Sequence, residues 1–186
     1  MTAVHLVILG RQGSGKGTQA ARLVEAYRPI HVSTGDMLRA AVEEGTDLGL
    51  QAKEIMEAGE LVSDGLILGI VRERLARPDA QLGFLLDGFP RTEVQARELT
   101  AMLAPSVIDV AIDIEVPDDV VLERMLARGR ADDTPEAIQR RLELYQTETA
   151  PLLEFFSSQG ILISVDGLGT EDEVQDRIID ATERNR

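Results

Sequence analysis

The sequence predicts an α/β fold in which helices cover both faces of a mainly parallel sheet. Short apolar runs that are typical of buried strands alternate along the chain with longer segments whose apolar residues recur at helical spacing. This alternation favours parallel pairing, because a crossover between parallel strands needs a connection of helix length. At 186 residues, without repeats or low-complexity tracts, the chain is predicted to form one domain with a substantial core.

Five apolar runs are predicted to be the strands. They lie at residues 4–9, 30–33, 83–87, 107–116 and 161–165. In open sheets of this class, ligands bind at the carboxyl ends of the strands. Gly10, Ser33, Thr34 and Asp87 end or follow predicted strands, and so does the pair Asp166-Gly167. These positions mark the edge of the sheet where a binding site is expected.

The helices are predicted from apolar periodicity and from the residues that begin or end them. The expected spans are 16–27, 35–44, 49–58, 63–77, 92–104, 118–128 and a longer helix from 134. Ser63 and Asp64 are favourable N-cap residues for the fourth helix, and Pro151 should kink or break the longer one. Thr170 and Glu173 have the spacing of a capping box and should begin the last helix.

The most informative segment lies between the first predicted strand and the first predicted helix. Residues 10–18 read GRQGSGKGT, which fits the spacing of a phosphate-binding loop. Its glycines let backbone N–H groups converge on phosphate oxygens, and the helix that follows presents its positive dipole end to the same anion. The usual hydroxyl residue after the lysine is replaced by Gly17, and the hydroxyl comes at Thr18. A glycine-rich hairpin or linker is the alternative, which the flanking strand and helix disfavour.

The charge of the chain limits what it binds. The net charge is −14, and its 19 basic residues comprise 17 arginines and 2 lysines, of which Lys16 lies in the loop. An acidic surface argues against nucleic-acid or anionic-membrane partners, although arginines gathered in one cleft would still accept a small anion. Without cysteine there is no disulfide or thiolate metal site. No signal peptide or membrane-spanning run is apparent, so a cytoplasmic location is expected.

Four further segments carry the residue types of an anion site. They read STGDMLR at 33–39, GELV at 59–62, DGFPR at 87–91 with Gln95 beyond, and RMLARGR at 124–130 with Arg141 beyond. The pairs Arg124/Arg128 and Arg91/Gln95 are four residues apart and so share a helix face. Isolated arginines at this spacing usually form a solvated surface. Their grouping around a glycine turn in an acidic chain favours phosphate binding instead.

Taken together, the order and spacing of these segments resemble those of adenylate kinases, from Val4 to the end of the chain. The short segment between Arg128 and Asp132 is similar to the short-lid form of that family. The resemblance implies a three-layer P-loop NTPase fold with a five-stranded parallel sheet. It further implies a single domain, 1–186, whose core carries a helical AMP-binding lobe at about 33–62 and a short lid at about 129–135.

The resemblance implies transfer of the γ-phosphoryl group of Mg-ATP to AMP, giving two ADP, by a monomeric enzyme. The attacking phosphate oxygen of AMP is already anionic, so no general base is needed, and the task is electrostatic. The partners implied are ATP, AMP and ADP, and the cofactor is Mg²⁺.

The resemblance also assigns roles to individual residues. The catalytic residues implied are Lys16, Arg91, Arg128, Arg130 and Arg141. The ATP-binding residues implied are Gly13, Ser14, Gly15, Lys16, Gly17, Thr18, Arg124, Arg128 and Gly169. The AMP-binding residues implied are Thr34, Arg39, Glu60, Leu61, Val62, Gly88, Phe89, Pro90, Arg91, Gln95, Arg130 and Arg141. Thr34 and Gln95 would recognise the adenine of AMP, and Asp87 would orient Mg²⁺ through water.

Two other functions remain open from the sequence. A kinase for UMP or CMP would share the phosphate chemistry and differ only in base recognition. A nucleotide-dependent switch or ATP-binding regulator would need the loop but no second nucleotide site. The Asn-Lys-x-Asp motif of GTPase switches is excluded, because Asn185 is the sole asparagine of the chain.

Overall fold

The computed structural model describes residues 3–130 and 132–185. Within these residues one sheet contains five parallel strands, in the order β2-β3-β1-β4-β5. The strands are β1 His5–Leu9, β2 Ile30–Ser33, β3 Phe84–Asp87, β4 Val110–Glu115 and β5 Leu162–Asp166. The predicted α/β fold with a five-stranded parallel sheet is therefore confirmed. The fourth strand is shorter than the apolar run that predicted it.

The part of the chain that the structure describes contains nine α-helices. They are α1 Lys16–Tyr27, α2 Thr34–Glu44, α3 Asp47–Glu57, α4 Asp64–Leu75, α5 Glu93–Leu103, α6 Asp118–Arg128, α7 Pro135–Leu144, α8 Pro151–Ser157 and α9 Glu171–Asn185. A short 3₁₀ helix at Pro78–Leu82 was not predicted. None of the described helices is both long and apolar enough to cross a bilayer.

The helix boundaries follow the predicted capping and proline signals closely. Thr170 and Glu173 form the capping box, since the Glu173 N–H donates to the Thr170 hydroxyl at 3.2 Å and the Thr170 N–H donates to the Glu173 carboxylate at 2.7 Å. Ser63 occupies the N-cap position of α4, but its side chain accepts no capping hydrogen bond. Pro151 begins α8 after a widened π-helical turn at Tyr145–Thr149, so the predicted break at this proline is confirmed.

The sheet is buried on both faces, which explains why its strands read as continuous apolar runs. Successive residues of β1 point to opposite faces. Val7 and Leu9 pack in one buried cluster with residues of α4 and α5, and Leu6 and Ile8 pack in a second cluster with residues of α1 and α9. The three layers of the predicted fold follow from this arrangement.

The register of the sheet brings three loops to one edge. Asp87 at the end of β3 pairs with Ser33 of β2 on one side and with Ile8 of β1 on the other. Since β3 lies between β1 and β2, the segments that follow these three strands leave the sheet side by side. They are the segments in which the sequence predicts phosphate contacts.

Helices α2 and α3 cross each other at close range. A Cβ atom added to Gly49 would lie 2.0 Å from the carbonyl oxygen of Ala41, so only glycine fits at this crossing. The separate lobe expected at about 33–62 and the lid expected at about 129–135 stay predictions, because the positions of these helices do not test their independence.

A Gly49→Ala substitution is expected to destabilise the protein by about 1–3 kcal/mol, because the added methyl overlaps the backbone of α2. Gly69→Ala in α4 is the matched control. It places the same methyl in open space and should stabilise the protein by about 0.5–1 kcal/mol through helix propensity. Urea unfolding of both variants measures the difference. Equal effects of the two substitutions would contradict the close crossing.

Candidate active site

The glycine loop turns directly into the first helix. Gly15 is the N-cap of α1 in a left-handed conformation, with φ +95°. Gly13 has φ +90°, and a Cβ atom there would lie 2.8 Å from the carbonyl oxygen of Val121 in α6. Both positions therefore require glycine, because each has a left-handed backbone conformation. At Gly13 a side chain would also collide with α6. The loop is held against α6 with its open side toward the carboxyl edge of the sheet.

Lys16 begins α1 and folds back over the loop. Its Nζ donates to the carbonyl oxygens of Gly10 and Arg11, each at 2.7 Å. Burial lowers the pKa of Lys16 to about 8, although the charges of Asp87 and Asp113 oppose the shift. An anionic phosphate close to this ammonium would favour its charged form.

A cleft of about 400 Å³ opens beside the loop. It is lined by most of the residues that the sequence singled out: Gly13, Gly15, Lys16, Gly17, Thr18, Arg39, Leu61, Asp87, Gly88, Pro90, Arg91, Arg124, Arg128, Arg130 and Arg141. A cavity of about 60 Å³ adjoins it and adds Thr34, Glu60, Val62 and Gln95. Gly88, Arg39, Arg91 and Arg141 line both spaces, so the two are continuous.

Carboxylates hold several of the cleft arginines in place. Arg128 donates to both carboxylate oxygens of Asp133, at 3.0 and 2.7 Å. Arg141 pairs with Asp132 and also reaches Asp133 at 3.2 Å. The Asp133 side chain is only 1% exposed. Burial alone would raise the pKa of Asp133, but the hydrogen bond from Arg128 lowers it, so this carboxylate stays ionised. Arg39 is paired in the same way with Asp36, which lies one turn before it in α2.

The small cavity is built around Arg91. The Arg91 Nε donates to the carbonyl oxygen of Gly88 at 2.9 Å, and the Thr34 hydroxyl donates to the same oxygen at 3.0 Å. The hydroxyl of Thr149, in the widened turn, donates to the Arg91 carbonyl oxygen at 3.0 Å. Burial lowers the pKa of Arg91, which reflects the cost of keeping a guanidinium group away from water.

Asp87 has the properties of a carboxylate that could bind Mg²⁺. Burial acts to raise the pKa of Asp87, but the nearby His31 imidazole and the charge of Lys16 lower it, so Asp87 is ionised. Its Oδ2 lies 3.5 Å from the His31 Nε2. The described residues contain no group of three or more metal-binding side chains. A magnesium ion here would be held by one carboxylate, water and substrate phosphates, an arrangement that Mg²⁺ favours.

Three predicted site residues do not line either space. Ser14 is buried, and its N–H donates to the carbonyl oxygen of Arg11 at 3.1 Å inside the loop. Phe89 is buried in the core on the α4 side of the sheet. Gly169 lies in the turn before α9, next to Glu173. The side chain of Glu60 is paired with Arg140 at 2.6 Å. The roles of Ser14, Phe89, Gly169 and Glu60 stay predictions, and that of Gly169 rests on backbone contacts.

Sequence reasoning missed a buried cluster behind the loop. Asp113 lies in the middle of β4 and is 2% exposed, and burial raises its pKa to about 6. The Tyr145 hydroxyl is 3.5 Å from its Oδ1, and the Arg11 guanidinium lies 5.0 Å from the centre of the Tyr145 ring. The position of Asp113 between two isoleucines of an apolar run was the available signal. Tyr145 and Thr149 also line the cleft without having been predicted.

A family model described as adenylate kinase matches residues 8–161, which include the loop, the cleft arginines, the end of β1 and all of β2, β3 and β4. The chain belongs to the adenylate kinase family. The resemblance inferred from the motifs is thereby confirmed.

Curated relatives agree with this assignment over nearly the whole chain. A protein named adenylate kinase from Stenotrophomonas maltophilia is 47% identical over 184 residues, which cover 96% of this chain and 98% of the relative. Adenylate kinase of Xylella fastidiosa is 47% identical over 182 residues, covering 95% and 97%. Adenylate kinase of Xanthomonas oryzae is 45% identical over 181 residues, covering 94% and 97%. The alignments therefore span nearly the whole length of this chain and of these relatives.

The buried Asp113 predicts a specific dependence of stability on pH. Its pKa is higher in the folded state than in the unfolded chain, so the free energy of unfolding falls as the pH rises from about 4 to about 6 and stays lower above that range. Asp113→Asn should raise the free energy of unfolding by about 1–3 kcal/mol at pH 8, and the gain should vanish near pH 4. Urea unfolding at both pH values tests this. Glu123→Gln, at an exposed position in α6, is the control. A gain that is equal at both pH values would contradict the assignment.

Proposed function

We propose that this chain is a nucleoside monophosphate kinase that transfers the γ-phosphoryl group of Mg-ATP to AMP and produces two ADP. The observation that carries the proposal is the gathering of six arginines and Lys16 around one cleft in a protein of net charge −14. Membership of the adenylate kinase family supports it. Both nucleotide pockets are lined by one chain, so a monomer is sufficient for the reaction.

The chemistry demanded of the protein is electrostatic. The acceptor oxygen belongs to a phosphate that is already anionic, so no side chain has to remove a proton from it. Two polyphosphates must instead approach in line against their mutual repulsion, and the charge on the transferred group must be balanced. Positive groups held rigidly around a water-poor cleft meet both needs, because they require little rearrangement during the transfer.

ATP would be bound by the loop. The N–H groups of the loop and of the first turn of α1 would contact its phosphates, and Lys16 would move from Gly10 and Arg11 to the phosphate oxygens. Arg124, whose Nη2 lies 3.5 Å from the carbonyl oxygen of Gly167, would pack near the ATP base. Arg128, Arg130 and Arg141 would balance the charge of the transferred group.

AMP would occupy the smaller cavity and its opening. Arg39 and Arg91 would hold the AMP phosphate, since guanidinium groups match phosphate geometry through two hydrogen bonds. Thr34 and Gln95 line the inner end and would contact the adenine. The backbone around Leu61 would complete the pocket. Segments 33–62 and 129–135 would close over the substrates and exclude the water that competes for the phosphoryl group.

Asp87 and Thr18 line the same cleft. Asp87 would hold Mg²⁺ through water, and the hydroxyl of Thr18 would be a second oxygen ligand near the ion. The ion would neutralise charge on the ATP phosphates. Asp87 is kept ionised for this purpose by His31 and Lys16, despite its burial.

The two alternatives are distinguished by one assay. An ATP-binding regulator would have no use for the second cavity with its own arginine pair, and a UMP or CMP kinase would read a different base. Initial rates should be measured with Mg-ATP and each of AMP, GMP, CMP and UMP as acceptor. AMP is expected to be used far better than the others. Similar rates with UMP would overturn the assignment of the acceptor, and no transfer to any acceptor would favour the regulator.

Lys16→Met should reduce kcat/KM by about 100- to 1,000-fold, because it removes a positive group that stabilises the transferring phosphates. The methionine retains most of the side-chain volume, so the thermal unfolding midpoint should change little. Lys53→Met, at an exposed position in α3, removes the other lysine of the chain and serves as the control. Retention of activity by the Lys16 variant would exclude the proposed role.

Arg39→Ala should raise the KM for AMP by about 10- to 100-fold and the KM for ATP by less than about twofold, because a charge-assisted phosphate contact is lost at one substrate only. Arg72→Ala, at an exposed position in α4, is the control. Steady-state kinetics with each substrate varied in turn give both constants. Equal increases for AMP and ATP would place Arg39 outside the acceptor site.

A further inference from the structure

The side-chain amide of Gln95 is hydrogen-bonded at both ends. Gln95 lies in α5, is 2% exposed and lines the small cavity. Its Oε1 accepts a hydrogen bond from the backbone N–H of Arg91 at 2.7 Å. Its Nε2 donates to the Oδ1 of Asp64 at 2.7 Å. The amide is thus clamped between a residue of the cleft and the first residue of α4.

The two partners of Gln95 fix which end of the amide is oxygen and which is nitrogen. A backbone N–H can only donate, so it requires the oxygen. A carboxylate can only accept, so it requires the nitrogen. Reversing the amide would set donor against donor at Arg91 and acceptor against acceptor at Asp64, in a buried environment where unpaired polar groups are costly. Both neighbours therefore enforce the same orientation.

Asp64 is itself held in place by the start of α5. Its Oδ1 lies 3.3 Å from the hydroxyl of Thr92, which donates to it. Thr92 is the N-cap of α5, and its hydroxyl accepts from the backbone N–H of Gln95 at 3.2 Å. The carboxylate consequently joins the beginnings of α4 and α5, and it acts on Gln95 both directly and through the cap.

The orientation of the amide decides which purine can bind next to it. After its two protein contacts, Gln95 retains one N–H and one oxygen lone pair for a ligand in the cavity. Adenine presents an amino donor at position 6 beside the acceptor N1. A 6-oxopurine such as guanine or hypoxanthine presents an acceptor at position 6 beside an N1–H donor, which is the reverse order. An amide that cannot turn over therefore matches one class and opposes the other.

We propose that Asp64 is a specificity-determining positioning residue, whose carboxylate locks the Gln95 amide in the orientation that accepts a 6-aminopurine and rejects a 6-oxopurine. The proposal rests on the proposed function, because it takes the small cavity as the site of the acceptor base. Asp64 does not touch the substrate in this account. It acts by removing the freedom of Gln95 to adapt to the wrong base.

The test is the ratio of kcat/KM for AMP to that for IMP, with Mg-ATP as donor. IMP carries hypoxanthine, so it differs from AMP in the donor and acceptor order on this edge of the base. Asp64→Ala should lower the ratio by about tenfold or more, through a loss with AMP and a relative gain with IMP. The kcat/KM for ATP should stay within about twofold. Asp64→Asn can still offer an oxygen to Nε2 and should keep the ratio within about threefold of the wild type.

Asp47→Ala is the matched control, because Asp47 is the acidic first residue of α3 as Asp64 is of α4, but it is exposed. It should leave the ratio unchanged. If Asp64→Ala does not fold, Asp64→Glu decides the question. That variant keeps the negative charge at the helix start while displacing the oxygen from Nε2, and its ratio should also fall.

Three outcomes would overturn the proposal. One is a ratio that is unchanged in the folded Asp64→Ala or Asp64→Glu variant. Another is an equal loss with AMP and IMP, which would make the role of Asp64 merely structural. The third is an Asp64→Asn variant that behaves like Asp64→Ala. A wild-type chain that does not phosphorylate AMP would instead overturn the proposed function, and this result is visible before any variant is compared.

Discussion

Repulsion among like charges governs how the cleft of this protein is built. Six arginines and Lys16 line one cleft in the described part of the chain. Cationic groups at such spacing disfavour one another, and they do so more strongly where water is scarce. Carboxylates that contact the arginines offset this repulsion. Asp133, almost fully buried, receives Arg128 and Arg141 together, and Asp36 holds Arg39.

This arrangement leaves part of each guanidinium group available while its position is fixed. Arg128 uses two of its donor nitrogens on Asp133, and Arg141 uses one on the Met56 carbonyl oxygen in addition to its acidic partners. A guanidinium group has five N–H donors, so donors remain for a phosphate. A net negative charge is therefore compatible with an anion-binding cleft, because the acidic side chains hold the arginines that would bind phosphate.

The sequence predicted the fold well, since the signals involved are local. Every strand was an apolar run, and Thr170, Glu173 and Pro151 marked helix boundaries through their own hydrogen-bonding chemistry. The glycine loop and the arginines of the cleft were also predicted, because their spacing is characteristic. The 3₁₀ helix at Pro78–Leu82 and the widened turn at Tyr145–Thr149 were not, since neither has a distinct sequence pattern.

The parts of the site that escaped prediction depend on contacts between distant segments. Asp64 was interpreted only as a helix-capping residue, and nothing near it in the sequence indicates a bond to Gln95, 31 residues later. Asp113 was read as part of an apolar strand, and its raised pKa follows from burial that only the packed sheet creates. Ser14 was expected to bind ATP, and its N–H is used within the loop, in a bond to the carbonyl oxygen of Arg11.

The π-helical turn at Tyr145–Thr149 places one extra residue between α7 and α8, compared with a regular helical turn. Here the Ala150 N–H reaches back five residues, to the Tyr145 carbonyl oxygen at 2.7 Å. The extra residue sets the angular offset between Tyr145, which lies beside Asp113, and Thr149, which supports Arg91. Losing one residue would return the helix to its regular pitch of about 100° per residue and remove the bond between Ala150 and Tyr145. One widened turn thus carries two supports of the cleft.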